Sequence, residues 1–540
     1  MLFQLLVPLG FQACIVASAV ISSRMGPTIT LESATFTGTT SGVVSKFLGI
    51  PFAQPPTGDR RFRLPETLPA YNGSYDASDF GPSCPQQAIR LPILTGILAE
   101  AVDYLTDSIY NTVLPDDEDC LTVNVLKPAT ATSNSKLPVV AWIFGGGFEL
   151  GGTAMYDGTS IASRSIALNQ PVIYVSMNYR VSGFGFLASK EVREAAVGNL
   201  GLHDQREALR WIQKYITAFG GDPSKVTIWG ESAGAISAAM HMIAYDGDTQ
   251  GLFRAAFMQS GSPIPVGALE GGQKYYDDIV VQTDCSGSND TLACLRTVEY
   301  DTLKAAIDNS PFIFDYQSLH LAWLPRADGV LFSDIPQRLV QQGKIADVPI
   351  VSGDCDDEGT LFSLSSLNVT KDAEVETYFK TVIFPNMPDQ DLATLLELYP
   401  ADPLEGLNIL TPQFKRIASF QGDAVFQAPR RFFLQNLSGK QNIWAFLSKR
   451  FKIVPVLGAF HSSDILNVYF GGDMADYLIR FAATLNPSGS TDIQWPQWTD
   501  NSPNLLTFND DPFKPLTVTQ DTFRSDAMDS LSEILLRNSI

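Results

Sequence analysis

The chain has 540 residues, 45% of them hydrophobic and 11% aromatic, which is ample for a large buried core. With 18% charged residues and no biased tract, it falls outside the disordered, collagen-like and coiled-coil classes. A formal charge of -21 repels phosphate backbones and anionic head groups, which argues against nucleic acid as a partner, and the same charge serves to keep a secreted protein in solution.

Met1 to Ala19 carries no charged side chain and ends in Ala17-Ser18-Ala19, the small-residue spacing of a signal cleavage site. A basic n-region is missing, but Pro8 and Gly10 interrupt the stretch, and it is short for a membrane anchor. We expect a cleaved signal over residues 1–19 and a secreted product. No later segment is apolar enough to span a bilayer. Removing Cys14 with the signal leaves Cys84, Cys120, Cys285, Cys294 and Cys355, which in a secretory chain implies two disulfides and one leftover thiol. Cys285 and Cys294 flank a short polar stretch and form a candidate local pair. Sequons at Asn72, Asn289, Asn368 and Asn436 are candidate glycan sites.

From Pro138 onward, apolar runs alternate with helical or glycine-rich segments. Pro138 to Phe144, Val172 to Met177, Val226 to Trp229, Ala255 to Gly261 and Val348 to Gly353 read as buried strands, and Gly201 to Phe219 as a helix. Strands alternating with helices predict an α/β chain with a large, mostly parallel sheet whose chemistry collects beyond the strand carboxyl ends. No linker interrupts the chain, so we expect a single domain from about residue 25 to 540. Lys371 to Phe433 reads as a mainly helical insertion capping the sheet.

Gly230-Glu231-Ser232-Ala233-Gly234 sits between the Val226–Trp229 strand and a helix-compatible run, the context of a nucleophile elbow. Side chains at the two glycine positions would collide in so sharp a turn, and the following helix N-terminus favours developing negative charge. Upstream, Gly145-Gly146-Gly147 closes the Pro138–Phe144 strand. Backbone N–H groups of Gly146 and Gly147, with that of Ala233, would form an oxyanion hole. A bare run of glycines can also be only a flexible turn.

A serine hydroxyl needs a base, and the chain has four histidines. His203 lies on a helix among polar neighbours, His241 on the helix after Ser232, and His320 in an unpatterned stretch. His461 follows the strand-like run Ile443 to Leu447 and every other motif, matching the order serine, acid, histidine. The acid would come from Asp354, Asp356, Asp357 or Glu358, all in the loop after the Val348 strand, and spacing alone does not choose among them.

Together these stretches resemble the carboxylesterase/lipase/cholinesterase family of α/β-hydrolases, particularly its secreted fungal lipases. The carriers include Glu118-Asp119-Cys120-Leu121, Trp142 to Phe148, Gly198-Asn199-Leu200-Gly201-Leu202, Phe219-Gly220-Gly221-Asp222-Pro223, Gly230 to Gly234 and Asp357-Glu358-Gly359. The resemblance implies an α/β-hydrolase fold with lid and helical cap insertions, Glu358 as the acid, His461 as the base and Ser232 as the nucleophile. It implies disulfides Cys84–Cys120 and Cys285–Cys294, and structural ion pairs Arg61–Glu118 and Arg180–Asp204. It also implies hydrolysis of carboxylic esters through an acyl-enzyme, with no cofactor and no metal. The chain departs from the family pattern at His203, and Cys355 beside the acid turn reads as a buried free thiol.

Between Cys84 and Cys120, apolar Ile93, Leu94, Ile97, Leu98, Ala101, Val102 and Leu105 recur at helical spacing. In related lipases this disulfide-closed loop is a lid, so transient contact with a lipid interface is expected; the plain alternative is a stripe packed on the core. The segment has no tryptophan to hold a quaternary ammonium, which argues against choline esters. Three functions compete: a lipase or sterol esterase for long-chain esters, a carboxylesterase for smaller esters, and a non-catalytic binding protein on the same fold. All three triad positions are present, against the last. A base that must be neutral predicts activity falling on the acid side of neutrality.

Overall fold

The computed structural model describes residues 26–90, 115–400, 410–489 and 493–539. The expected signal over Met1–Ala19 and the apolar stripe from Ile93 to Leu105 lie outside the described residues. In chain order the strands are β1 (Thr28–Leu31), β2 (Ser33–Thr37), β3 (Thr39–Ser41), β4 (Val44–Pro51), β5 (Asn72–Asp76), β6 (Thr122–Pro128) and β7 (Leu137–Ile143). They continue with β8 (Ile173–Met177), β9 (Gly221–Glu231), β10 (Ala255–Gln259), β11 (Ile350–Cys355), β12 (Ile443–Lys449), β13 (Asn504–Asn509) and β14 (Leu516–Gln520).

Eleven strands form one sheet in the order β14-β13-β12-β11-β10-β9-β7-β8-β6-β4-β3, and β1, β2 and β5 form a separate small sheet. From β8 to β13 seven neighbours run parallel; β6, β4 and β3 extend one edge antiparallel pair by pair, and β14 closes the other. The centre is covered on both faces, so its strands are continuous apolar runs: every residue from Val139 to Ile143 is buried, and Trp142 packs on Trp229 at 4.1 Å between ring centroids. The fold is that of an α/β-hydrolase, as expected, with the antiparallel edges as an addition. Buried polar residues had hidden those edges. In β6, Asn124 accepts the Gly49 N–H (2.8 Å) and donates to Ser176 Oγ (3.1 Å), while Lys127 Nζ donates to the Ala131 carbonyl.

Two features beside the sheet bear on the site. The connection from β11 to β12 is largely helical, with helices at Asp372–Tyr378, Asp389–Leu398, Phe414–Gly422 and Ala428–Leu437. The ion pairs Arg61–Glu118 and Arg180–Asp204 are both buried and bidentate. The first joins two loops and the second ties a loop to the helix Leu200–Tyr215, and neither pair includes a bond to Ser232. Disulfides join Cys84 to Cys120 and Cys285 to Cys294. Cys355 is free and buried, its Sγ 3.5 Å from Ser463 Oγ, and burial pushes its thiol well above the ordinary range, so it is inert. Among the sequons, Asn72, Asn289 and Asn368 are exposed. Asn436 is half-buried and its amide donates to the Phe432 carbonyl at 2.8 Å, which leaves one amide hydrogen for a glycan to replace.

Candidate active site

Ser232 stands where β9 ends and the helix Ala233–Ile243 begins, with φ 53° and ψ -126°. A side-chain-bearing residue rarely adopts that conformation, and here its surroundings enforce it. Its N–H donates to the Gln259 carbonyl at the end of β10 (2.9 Å), and its own carbonyl accepts from the Ile236 N–H (2.8 Å). A Cβ on Gly230 would collide with the Gly234 backbone, and one on Gly234 with the Ile143 carbonyl. The turn therefore requires glycine at both positions.

The loop after β12 brings His461 over this turn. Its Nε2 lies 2.8 Å from Ser232 Oγ and its Nδ1 lies 2.5 Å from Glu358 Oε2. Two acceptors cannot share a proton-free contact, so the imidazole carries its proton on Nδ1, donates it to Glu358, and leaves Nε2 to accept from Ser232. Glu358 Oε1 in turn accepts the Cys355 N–H (2.6 Å). The other three carboxylates of that loop have different partners. Asp354 binds Arg430 (2.6 Å), and Asp356 and Asp357 share Lys452 (2.5 and 2.6 Å). Elsewhere, burial holds the His203 and His320 imidazoles down at about 4 and that of His241 well below its ordinary value. His241 Nε2 meets Gln205 Oε1 at 2.8 Å. Among the described residues, no hydrogen bond links these three histidines to Ser232.

Facing the serine, the glycine loop turns through φ 116° at Gly146 and 64° at Gly147. The amides of Gly146, Gly147 and Ala233 donate to no other group among the described residues, leaving three N–H groups free for an anionic oxygen. Two small cavities meet at Ser232. One is lined by Gly146, Leu150, Phe314, Leu361 and His461, and the other by Ala233, Ile236, Ile264, Leu324, Val425 and Phe426. Gly147, Ile313 and Phe362 border both.

Sequence reasoning missed the acidic shell around His461. Glu231 Oε1 lies 3.5 Å from Nε2 and accepts the Ser462 hydroxyl, and Asp464 accepts the Gln259 amide (2.9 Å). Burial pushes the Glu231 carboxyl up to about 8. It also pulls the His461 imidazole down, but Glu358, Glu231 and Asp464 outweigh it and raise His461 to about 9. These groups would move the acid-side fall in activity expected from an ordinary imidazole toward higher pH. Glu231 occupies a variable position of the serine motif, so its own chemistry was the available signal. Phe362 and Phe426, whose rings lie 5.1 and 4.5 Å from that of His461, come from a distant segment and left no local signal.

A strained serine, an imidazole and a carboxylate in one hydrogen-bonded line are the parts of an acyl-transfer site. A family model described as the carboxylesterase family matches residues 26–526. This chain belongs to the carboxylesterase family. The family member is a serine carboxylic ester hydrolase. It is 42% identical to Lipase 2 of Diutina rugosa over 94% of this chain and 96% of that protein. It is 42% identical to Secreted lipase 1 of Botryotinia fuckeliana over 88% of each chain. The crystal structure of Aspergillus niger EstA superposes with a TM-score of 0.80 at 30% identity, covering 95% of this chain and 99% of that one. Among the described residues of this esterase, no cluster of His, Cys, Asp or Glu is placed to hold a metal ion, and no helix is long and apolar enough to cross a membrane.

Proposed function

We propose that the chain is a secreted lipase-type esterase, working as one domain from about residue 25 onward. Ser232 is the nucleophile, His461 the base and Glu358 its orienting acid. His461 Nε2 takes the Ser232 proton as Oγ attacks the ester carbonyl. Glu358 stabilises the imidazolium through Nδ1–H, and the amides of Gly146, Gly147 and Ala233 receive the negative oxygen. The tetrahedral adduct collapses, Nε2 returns the proton to the departing alcohol, and water then repeats the sequence on the acyl-enzyme. The observation that carries this reading is the unbroken Ser232–His461–Glu358 line.

For the substrate, the purely apolar side chains of Ile236, Ile264, Leu319, Leu321, Leu324 and Val425 beside Ser232 suit a hydrocarbon acyl chain. Relatives named as secreted lipases, including Secreted triacylglycerol lipase LIP1 of Gibberella zeae at 39% identity, support lipid esters and secretion. A smaller ester is the second reading, favoured by the free space of only about 20 Å³ in each cavity. Hydrolysis of a chain-length series of nitrophenyl esters, with and without an emulsified interface, separates the two. Ser232→Ala should abolish turnover of every member; a Ser232→Ala protein that still turns over would end the assignment.

A further inference from the structure

Glu149, two residues past Gly147, carries a carboxyl that the chemistry above does not use. It is 0% exposed. Its Oε2 accepts the Ile313 N–H at 2.9 Å, and its Oε1 has no hydrogen-bond partner among the described residues. Burial holds the carboxyl well above the ordinary range, Asp315 pushes the same way, and the Ile313 N–H and Arg90 oppose them only in part. Burial thus favours the neutral form of the group, and its Oε2 accepts from Ile313.

Its bonds join two walls of the site. On its own backbone, the Glu149 N–H donates to the Gly146 carbonyl (3.1 Å), and the Glu149 carbonyl accepts the Gln87 N–H (2.9 Å). Between these anchors Phe148 sits at φ 61°, a conformation that a bulky residue keeps only where several contacts impose it; one of them is the Ser182 N–H to the Phe148 carbonyl, at 2.6 Å. Across the cleft, the Ile313 Cδ1 stands 2.7 Å from where a Cβ on Gly147 would project. Ile313 thus lies directly over the Gly147 turn, and it borders both cavities at Ser232.

We propose that Glu149 is a positioning residue for oxyanion stabilisation: its side chain fastens the Ile313 wall to the Gly146–Phe148 turn and so sets where the Gly146 and Gly147 amides stand relative to Ser232. The inference rests on the site reading given above. Misplaced amides bind a developing oxyanion less well while leaving ground-state binding of a neutral ester almost untouched, so the loss falls on kcat rather than on KM.

Glu149→Ala should lower kcat about 10- to 100-fold on a short soluble ester, with KM within about threefold. It should weaken a trifluoromethyl ketone, which forms a serine hemiketal carrying the oxyanion, by a similar factor. Glu149→Gln keeps the acceptor for Ile313 in a neutral side chain of the same shape and should stay within about threefold of the parent in both measurements. Glu149→Met fills the volume without an acceptor and should behave like alanine, which keeps the test open if the alanine variant does not fold. The proposal is overturned if the loss falls on KM, if ketone affinity is unchanged, if glutamine is as poor as alanine, or if neither alanine nor methionine yields a folded protein. Normal activity in the Glu149 variants beside a dead Ser232→Ala would remove this inference alone, whereas a live Ser232→Ala would remove the reading beneath it.

Discussion

Replacing Glu358 by glutamine changes only one atom, yet the surroundings of that side chain make the effect severe. Oε1 accepts the Cys355 N–H and Oε2 accepts the His461 Nδ1–H, both in a site 1% exposed. An amide offers one acceptor for those two donors. If its oxygen stays on Cys355, its NH2 faces Nδ1, and the imidazole must shift its proton to Nε2. That nitrogen then donates to Ser232 and has no lone pair with which to take its proton. If the amide flips, the NH2 opposes the Cys355 N–H, and two buried donors are left unpaired at about 1–3 kcal/mol. The first arrangement should prevail, and loss of the correct tautomer lowers kcat by about 10⁴, equivalent to about 5.5 kcal/mol of transition-state stabilisation. Glu358→Asp retains a carboxylate but retracts it by about 1.5 Å, so it should be less damaging than glutamine. The assay is kcat on a soluble chromogenic butyrate ester, with thermal melting to show that both variants fold. A glutamine variant within tenfold of the parent, or an aspartate variant worse than glutamine, would refute the tautomer argument.

Two further outcomes follow from the buried charges. Glu231→Gln removes one of the negative groups that raise His461, so the imidazole pKa falls, the base stays neutral to lower pH, and the acid limb of kcat/KM moves down by about one unit; a limb that stays put or climbs contradicts the electrostatic account. Asp521 accepts from Arg430 (2.7 Å) and Arg431 (2.8 Å), and those guanidinium groups hold its carboxyl far below the carboxylate range against the upward push of burial. Asp521→Asn should destabilise the fold by about 3–5 kcal/mol in urea unfolding at neutral pH, and a cost below about 1 kcal/mol would show that the pairs are dispensable.

The centre of the fold was legible because parallel strands buried on both faces must be apolar throughout, as in Val139 to Ile143. The edges were not, since β4 and β6 place Lys46, Asn124 and Lys127 among apolar neighbours; Lys46 and Asn124 find partners far along the chain, and Lys127 finds one in the turn that follows its strand. At the site, the serine and its glycines announced themselves through local geometry. The acid did not: four carboxylates lie within five residues, and what separates them is the reach of Arg430 and Lys452 from distant elements. Glu231 went unnoticed for a different reason, because its motif position tolerates any residue and only the approach of His461 gives it meaning.

Ser232 and Glu358 follow β9 and β11, and His461 follows β12; β10 lies hydrogen-bonded between the first two, and β12 pairs directly with β11. Among the described residues the chain nevertheless leaves the sheet after Cys355 and does not rejoin it until Ile443. Backbone pairing brings together the strand ends that carry the reacting groups, so the part of that excursion beyond the Glu358 turn and away from the His461 ring can lengthen, shorten or change its lining with little effect on them. The excursion also carries Phe362 and Val425, part of the wall that meets the substrate. An architecture of this kind lets descendants exchange one ester for another while inheriting the bond-breaking apparatus intact.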